Sequence, residues 1–269
     1  MAAKLKISIA QMKVAVARPG KNLEKAEAFV AKAKKKGSDI ICFPEMWTTG
    51  FDWAANKGLV CETDEIVGNI ADMARRFGIW INGSILAPDA KGKASNASMM
   101  FNPDGDIAGT YRKIHLFGAI REDRNVAPGN SLSVVDTPWA RAGLAICYDI
   151  RFPELFRAYA MKGARMIFLP AAFPRAKLAH WKTLIRARAI EDQLFMIAAN
   201  QVGVEDFGID GRIAYCGNSA IIGPWGETVA EASAAKEELI TAAIDIGKVD
   251  EIRNKMKVFR DRRPDVYKL

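Results

Sequence analysis

The sequence predicts an α/β fold in which a mixed sheet is covered by layers of helices. Helical patterns alternate with strand patterns at both ends of the chain, and hairpin patterns lie between them. The chain has 269 residues, of which 50% are hydrophobic, so a sizeable core is available. We find no low-complexity linker, charged tail or repeat, and we therefore expect one domain over residues 1–269.

The first half of the chain alternates two helices with five strands. Residues 22–36 carry apolar side chains at helical spacing, and Gly37 provides a stop. Residues 64–77 form a second predicted helix, closed by Gly78. An Asn-Pro-Asp-Gly turn joins the last two strands. The predicted strands are residues 5–10, 39–43, 79–86, 97–101 and 107–111.

The second half repeats the alternation. A Gly-Pro-Trp-Gly turn between two short apolar runs predicts a hairpin over residues 219–230. The predicted helices are residues 153–162, 178–192 and 249–257. The other predicted strands are residues 144–146, 166–169, 195–200 and 239–244.

Composition argues against several classes of protein. The four cysteines, Cys42, Cys61, Cys147 and Cys216, form no CxxC pair, which is unlike a zinc site or a disulfide scaffold. Only two histidines are present, so we expect no His-rich metal centre, and we predict no cofactor. No stretch has the length of a membrane span, and the first residues lack the apolar region of a signal peptide. We therefore expect a cytoplasmic protein.

The net charge of +8 raises the question of a nucleic-acid partner. The basic residues, however, are dispersed among acids, and the densest run, residues 32–36, ends a predicted amphipathic helix. We therefore expect no nucleic acid, and we interpret the charge as suited to small anionic substrates.

Three segments carry residues suited to acyl transfer. Glu45 follows an apolar strand and sits beside a Pro and a Trp, where a carboxylate would have a raised pKa and could act as a base. Lys113 follows another strand in an aromatic context, and a positioned ammonium can stabilise an oxyanion. Taken alone, Glu45 is more readily interpreted as a surface residue in a loop, and Lys113 gives only a weak signal among many lysines.

Cys147 is the candidate nucleophile. It follows the apolar run Ala-Gly-Leu-Ala-Ile and precedes a Pro that can open a helix, Pro153. We predict that nearby helix amides favour the thiolate. A buried core cysteine is the alternative. All three candidates lie just beyond predicted strands, which is where α/β sheets place their ligand sites.

These segments resemble the nitrilase superfamily of carbon–nitrogen hydrolases, whose members use a Glu-Lys-Cys triad. The matching stretches are FPEMWTTGF, YRKIHLF and CYDIRFPE, and the similarity extends to PWGE, HWKTLIRARAIEDQ and VFRDRRPDVY. The resemblance implies catalytic roles for Glu45, Lys113 and Cys147. It implies a supporting role for Glu122 and an oxyanion contact from the Tyr148 backbone N–H.

The resemblance also implies a four-layer α-β-β-α sandwich and a homodimer or higher homo-oligomer. Asp149, Arg151 and Glu154 are motif residues that we interpret as ion-pair scaffolding rather than chemistry. Because the family uses a Glu base, we interpret His115 and His180 as structural or as helping to shape the pocket.

Within the superfamily the motifs are most similar to those of ω-amidases, which hydrolyse the terminal amide of 2-oxoglutaramate or 2-oxosuccinamate. A dianionic substrate needs cationic groups, and Arg175 and Lys177 are predicted anchors because they follow a predicted strand. A true nitrilase is less favoured, because Tyr148 stands where true nitrilases have Trp.

Four alternatives stay open from the sequence. Two are other amide-type hydrolases, a deaminated-glutathione amidase and an N-carbamoyl amine hydrolase. A third is a catalytically silent scaffold or binding protein, against which the intact triad argues. The fourth is a Cys–His protease, which requires His115 or His180 to activate Cys147.

Overall fold

The computed structural model describes residues 4–206 and 211–267. The start of the chain, where the sequence predicts no signal peptide, lies partly outside the described residues. The helices are α1 (Pro19–Lys35), α2 (Trp53–Leu59), α3 (Thr63–Phe77), α4 (Glu122–Asn125), α5 (Pro153–Met161), α6 (Leu178–Asp192) and α7 (Gly247–Lys255). The strands are β1 (Lys4–Gln11), β2 (Ile40–Cys42), β3 (Trp80–Pro88), β4 (Ala94–Phe101), β5 (Ile107–Arg112), β6 (Val134–Asp136), β7 (Arg141–Leu144), β8 (Met166–Ala171), β9 (Phe195–Asn200), β10 (Val204–Asp206), β11 (Arg212–Ala214), β12 (Ala220–Ile222), β13 (Thr228–Glu231) and β14 (Glu238–Asp245).

Two six-stranded mixed sheets form the centre of the structure. The first has the strand order β14-β1-β2-β3-β4-β5, and the second has the order β13-β12-β9-β8-β7-β6. In each sheet the central strands pair in parallel: β2 lies between β1 and β3 in the first sheet, and β8 lies between β7 and β9 in the second. Antiparallel strands flank them on both sides. Strands β10 and β11 form a separate hairpin.

The buried apolar residues show the layer order. One core cluster contains residues of both sheets, such as Ile7 and Ile167, and α5 and α6 residues such as Phe156 and Ile185. A second cluster joins the other face of the first sheet to α1 and α3. The layers are therefore helix, sheet, sheet, helix, which confirms the predicted α/β fold and its four-layer sandwich.

The strand before the candidate nucleophile differs from the prediction. Strand β7 is Arg141–Leu144, whereas the sequence predicted residues 144–146. Residues 145 and 146 are buried and lie beyond the end of β7, although the Ala145 N–H still donates to the Phe168 carbonyl at 3.1 Å. A short 3₁₀ helix, Cys147–Arg151, begins at the cysteine itself. A run of apolar residues indicates burial, but it does not show where the hydrogen bonds to the neighbouring strand end. The difference between the predicted and the observed strand bounds follows from this. Cys147 thus starts a tight turn rather than directly extending a strand.

None of the helices in the two described ranges combines the length and the hydropathy needed to cross a membrane.

Candidate active site

Glu45 lies in the loop that follows β2, and hydrogen bonds hold both its backbone N–H and its backbone carbonyl. Its N–H donates to the Ala171 carbonyl at 3.3 Å, and its own carbonyl accepts from Gln201 Nε2 at 2.8 Å. The next residue, Met46, has a φ of +48°, a strained value for a residue with a Cβ. Because these contacts come from the second sheet, the loop carries Glu45 across the interface between the sheets.

The Glu45 carboxylate is almost fully buried, and its two oxygens meet different donors. Oε1 accepts from Lys113 Nζ at 2.7 Å and from Asn96 Nδ2 at 2.9 Å. Oε2 accepts from the Ala172 N–H at 3.0 Å, and the Cys147 thiol hydrogen-bonds to the same carboxyl group. The carboxylate therefore touches both the candidate cation and the candidate nucleophile.

Lys113 follows β5 directly, and its side chain is buried between two carboxylates. Nζ lies 2.7 Å from Glu45 Oε1, and 3.0 and 2.7 Å from Glu122 Oε1 and Oε2. An ammonium has three donors, and the two contacts to Glu122 can share one of them. One N–H then remains for the pocket, where Lys113 is part of the lining.

The Lys113 backbone is fixed on both sides. Its N–H donates to the Asn96 carbonyl at 2.9 Å, and its own carbonyl accepts from the Gly129 N–H at 2.8 Å. Gly129 cannot be replaced without a shift, because a Cβ there would lie 2.0 Å from the Arg112 carbonyl oxygen.

Glu122 opens the short helix α4 and is fully buried. Its Oε2 accepts from the Phe117 N–H at 2.7 Å, and its Oε1 accepts from Asn96 Nδ2 at 3.0 Å. Both oxygens also accept from Lys113 Nζ, so the Glu122 carboxylate holds the ammonium in place. Among the described residues, no hydrogen bond joins this carboxylate to the Cys147 sulfur.

Cys147 lies at the bottom of the pocket, 9% exposed, with a φ of +42°. A positive φ at a residue with a Cβ is strained and is concentrated at functional sites. The buried Asp149 supports this turn, because its Oδ2 accepts from the Ile146 N–H at 2.9 Å. Oδ2 also accepts from Tyr111 Oη at 2.8 Å, which ties the turn to β5.

The charges of the cluster are strongly coupled. Burial raises the pKa of the Glu45 carboxyl; the Lys113 ammonium opposes this shift and the Glu122 carboxylate adds to it. Burial alone would lower the pKa of Lys113, but Glu122 and Glu45 reverse that effect and raise it, so the ammonium stays charged. The raised pKa of Glu45 agrees with the sequence prediction.

The prediction that nearby helix amides favour the thiolate of Cys147 is wrong. Burial raises the pKa of the Cys147 thiol, and the negative charge of Glu45 adds to that shift, while Lys113 opposes it only in part. The 3₁₀ helix at Cys147 has only five residues and gives no compensating dipole of a long helix. The resting nucleophile is therefore a neutral thiol that needs a base, and Glu45 is in contact with it.

A pocket opens above this cluster. Its wall is largely apolar and aromatic, and Tyr148, Phe117 and Phe173 contribute rings to it. Arg151 and Lys177 also line it. The Lys177 Nζ lies 4.8 Å from the centre of the Phe117 ring, and the Arg151 guanidinium lies 5.5 Å from that of Phe173.

The structure treats the two predicted anchors differently. Lys177 lines the pocket, whereas Arg175 is exposed and is not among the lining residues. Arg151, interpreted from the sequence as scaffolding, is in the pocket wall, and its Nη2 lies 3.2 Å from His180 Nδ1. Neither Arg151 nor Lys177 forms an ion pair with any carboxylate in residues 4–206 or 211–267. Both cations are thus available to an anionic ligand.

Sequence reasoning missed Asn96 as well as Arg151. Asn96 lies within β4, and its amide bridges the carboxylates of Glu45 and Glu122. A buried polar residue inside a strand was the only signal. Within the described residues, no group of three or more His, Cys, Asp and Glu side chains is arranged to hold a metal ion.

Comparison with known proteins adds an independent line of evidence. A family model described as carbon–nitrogen hydrolase matches residues 6–254. The chain is 36% identical over 280 residues to the omega-amidase NIT2-A of Xenopus laevis, covering 98% of this chain and 97% of that protein. It is 35% identical over 262 residues to the 2-oxoglutaramate amidase of Bacillus subtilis (strain 168), covering 97% and 98% of the two chains.

The fold is also found among solved structures. A carbon–nitrogen hydrolase from Helicobacter pylori G27 superposes with a TM-score of 0.92 at 28% sequence identity, covering 98% of this chain and 97% of that chain.

Proposed function

The chain belongs to the carbon–nitrogen hydrolase family, and on that premise we propose that it is an ω-amidase acting on 2-oxoglutaramate or 2-oxosuccinamate. One observation carries the proposal. A buried cluster of thiol, carboxylate and ammonium lies at the bottom of a pocket whose wall presents two cations that form no ion pair with a carboxylate among the described residues. The cluster suits attack on an amide, and the cations suit a substrate with a free carboxylate at its other end.

The first half-reaction follows from the contacts of Glu45. Its carboxylate takes the proton of the Cys147 thiol while the sulfur attacks the amide carbonyl carbon. The carbonyl oxygen becomes an oxyanion, which accepts hydrogen bonds from the free N–H of Lys113 and from the Tyr148 backbone N–H. Glu45 then gives its proton to the amide nitrogen, ammonia leaves, and a thioester remains on Cys147.

The second half-reaction uses the same base. Glu45 takes a proton from water as the water attacks the thioester carbonyl, and the same donors hold the new oxyanion. The carbon–sulfur bond breaks, the thiolate recovers a proton through Glu45, and the dicarboxylate is released. Glu122 takes no proton in this scheme. Its carboxylate keeps the Lys113 side chain charged and holds the ammonium in position beside Glu45.

Lys177 and Arg151 are the proposed anchors for the distal carboxylate and the 2-oxo group. Both lie at the pocket wall against aromatic rings, which hold the long side chains in place. A site built around an anion discriminates strongly against analogues that lack it, because its cationic donors would be left unpaired.

The test compares specificity constants at fixed salt for 2-oxosuccinamate, 2-oxoglutaramate and butyramide. We expect the two anionic amides to be preferred by on the order of 100-fold or more. Equal turnover of butyramide would end the ω-amidase proposal and leave an amidase of other specificity. If only a carbamoyl amine reacts, the protein is an N-carbamoyl amine hydrolase. If only deaminated glutathione reacts, it is a deaminated-glutathione amidase. No ammonia release from any of them would favour a silent scaffold.

A matched pair of variants tests the anchors. Lys177→Gln should raise KM for 2-oxosuccinamate about tenfold and leave butyramide hydrolysis unchanged. Arg175→Gln removes the same charge from an exposed side chain two positions away and should change neither. An equal loss in both variants would show that net charge, rather than contact with substrate, is responsible.

We further propose a homodimer in the cytoplasm. Large apolar side chains are exposed on the second sheet's outer layer, among them Ile190, 49% exposed, and Trp225, 58% exposed. Gly226, the residue after Trp225, lies against Ile190, since a Cβ on Gly226 would be 2.6 Å from Ile190 Cδ1. Light scattering of the wild type and of Trp225→Ser measures the oligomeric state, and a wild-type monomer would contradict the dimer. Cell fractionation tests the compartment.

A further inference from the structure

Glu205 is a buried carboxylate that the proposed chemistry does not use. It lies in the middle of β10 and is 4% exposed, while Val204 and Asp206 on either side are exposed. Its Oε1 accepts from the Phe51 N–H at 2.6 Å, and its Oε2 accepts from Tyr215 Oη at 2.7 Å. The carboxylate therefore joins three separate parts of the chain.

The two partners of Glu205 are walls of the pocket. Phe51 ends the loop that begins at Glu45, and Tyr215 follows β11 in the hairpin that also carries Ile213. All three of these side chains line the pocket above Cys147. Glu205 thus connects the loop of the base directly to Tyr215, a second part of the pocket wall.

The approach of Glu205 to the loop is tight. A Cβ on Gly50, which has a φ of +69°, would lie 3.2 Å from Glu205 Oε1. Tyr215 is fixed in turn by its N–H, which donates to the Gly203 carbonyl at 2.9 Å, and by a β-bridge to Pro174. The carboxylate therefore joins two parts of the pocket wall that are each held by further contacts.

Stability alone does not explain a carboxylate here. Burial raises the pKa of Glu205, and the hydrogen bonds from Tyr215 and Phe51 only partly offset that shift. No Lys, Arg or His within residues 4–206 and 211–267 forms an ion pair with it. Burying an acid without a cation is costly, and apolar side chains commonly replace buried charges without loss of stability.

We infer that Glu205 is a positioning residue that fixes the distance between Phe51 and Tyr215 and thereby sets the length of acyl group that the pocket accepts. The inference rests on the proposed amidase chemistry for its main readout. It assigns Glu205 no contact with the substrate and no proton transfer.

The test uses two variants of Glu205 in the full-length protein. Glu205→Ala removes both hydrogen bonds, whereas Glu205→Gln keeps one acceptor and offers a donor to Tyr215 Oη. We measure kcat and KM for 2-oxosuccinamate and for 2-oxoglutaramate, which is one methylene longer. The readout is the ratio of the two specificity constants.

For Glu205→Ala we expect this ratio to move at least fivefold towards one, chiefly through KM, while Glu205→Gln restores most of the wild-type ratio. Asp206→Asn is the matched control, because it changes an exposed acid on the same strand. Equal losses for both substrates, with the ratio unchanged, would overturn the inference and leave a structural role. Circular dichroism confirms that the variants are folded.

A second readout separates this inference from the proposed function. Bromoacetamide and the longer bromobutyramide alkylate Cys147 without any need for turnover, and peptide mass mapping distinguishes Cys147 from the exposed Cys61. We expect Glu205→Ala to reduce the preference between the two reagents. An unchanged preference rejects the inference even if no ω-amide is hydrolysed, and a changed one supports it in that same case.

Discussion

Asp149 Oδ1 lies 2.8 Å from His115 Nδ1 and 3.2 Å from the His115 backbone nitrogen, so this histidine is bound to a buried carboxylate. The His115 ring also stacks on Phe152, with 3.6 Å between the ring centres. The groups that act on the Cys147 thiol are Glu45, Lys113 and the Ala172 N–H. His180 instead lies beside Arg151. This arrangement favours the Glu base over a Cys–His pair.

Paired substitutions distinguish the two bases. Glu45→Gln should lower kcat by at least about 100-fold, because it removes the group that moves every proton in the scheme. His115→Gln should cost less than about tenfold, through looser support of Asp149. The measurement is ammonia release at saturating substrate. A larger loss for His115→Gln than for Glu45→Gln would reinstate the Cys–His interpretation.

Alkylation of Cys147 tests the neutral resting thiol. Iodoacetamide reacts with thiolates, and burial together with Glu45 raises the pKa of Cys147. In a Cys61→Ser background, which removes the exposed thiol, we expect one label per chain, located at Cys147. Glu45→Gln should slow this labelling at least fivefold, because no base remains to take the proton. Faster labelling in Glu45→Gln would mean that Glu45 only suppresses the thiolate.

Cys147→Ala and Cys147→Ser should both abolish turnover and leave the fold intact. The serine hydroxyl is far less acidic than a thiol, so Glu45 cannot activate it to a comparable extent. Ammonia release is the assay, and thermal unfolding confirms that the variants are folded. Activity of Cys147→Ala at the wild-type level would contradict the whole mechanism.

Lys113→Ala should lower kcat by on the order of 100- to 1,000-fold, with a smaller effect on KM. The ammonium contacts charge that exists only in the transition state, and its removal also leaves Glu45 and Glu122 facing each other without a cation. Lys25→Ala, which removes a surface cation paired with Glu237, is the control for net charge. A raised KM with unchanged kcat would reassign Lys113 to substrate binding.

The long elements of the fold were predictable because each has a clear period and a stop. Strand β9 has the predicted bounds, and α3 ends where Gly78 takes a φ of +55°. The elements that were missed are short, and their positions depend on contacts distant in sequence. They are α2, α4, β6, β10 and β11. Helix α4, for example, has four residues, and its first, Glu122, is held by Lys113.

The site was predictable to the extent that its residues lie in recognisable segments. Glu45, Lys113, Glu122 and Cys147 are within one cluster, as the resemblance implied. Asn96 was not predictable, because its place beside Lys113 depends on the pairing of β4 with β5. A single sequence shows which strands exist but not their register. For the same reason Glu205 could not be connected with Phe51.

Asp192 provides a prediction about stability. It ends α6, its Oδ1 lies 3.0 Å from Arg157 Nε, and burial raises its pKa to about 7 although Arg157 opposes the shift. The folded state therefore holds a proton that the unfolded state has released between about pH 4 and pH 7. Stability from this group falls as pH rises through that window.

Urea unfolding at pH 5 and at pH 8 measures this effect. Relative to Asp192→Asn, whose side chain does not titrate, the wild type should lose up to about 3 kcal/mol between the two pH values. Asp136→Asn, at an exposed aspartate paired with Arg141, should show no such difference. A wild type that gains stability relative to Asp192→Asn on going to pH 8 would mean that the ion pair with Arg157 dominates.

Asn96 contacts the carboxylate of the base, Glu45. Its amide donates to Glu45 Oε1 at 2.9 Å, and a donor to a carboxylate favours the charged form. Burial already raises the pKa of Glu45, so removal of this donor in Asn96→Ala should raise it further. The scheme requires Glu45 to be ionised in the free enzyme. The acidic limb of the kcat/KM profile should therefore move to higher pH, by on the order of one unit. Asn82→Ala is the control, since the buried amide of Asn82 bonds to Ser98 and to the Met99 carbonyl instead. The acidic limb of the kcat/KM profile could stay in place in Asn96→Ala, or move equally in Asn82→Ala. Either result would show that this limb reports a group other than Glu45.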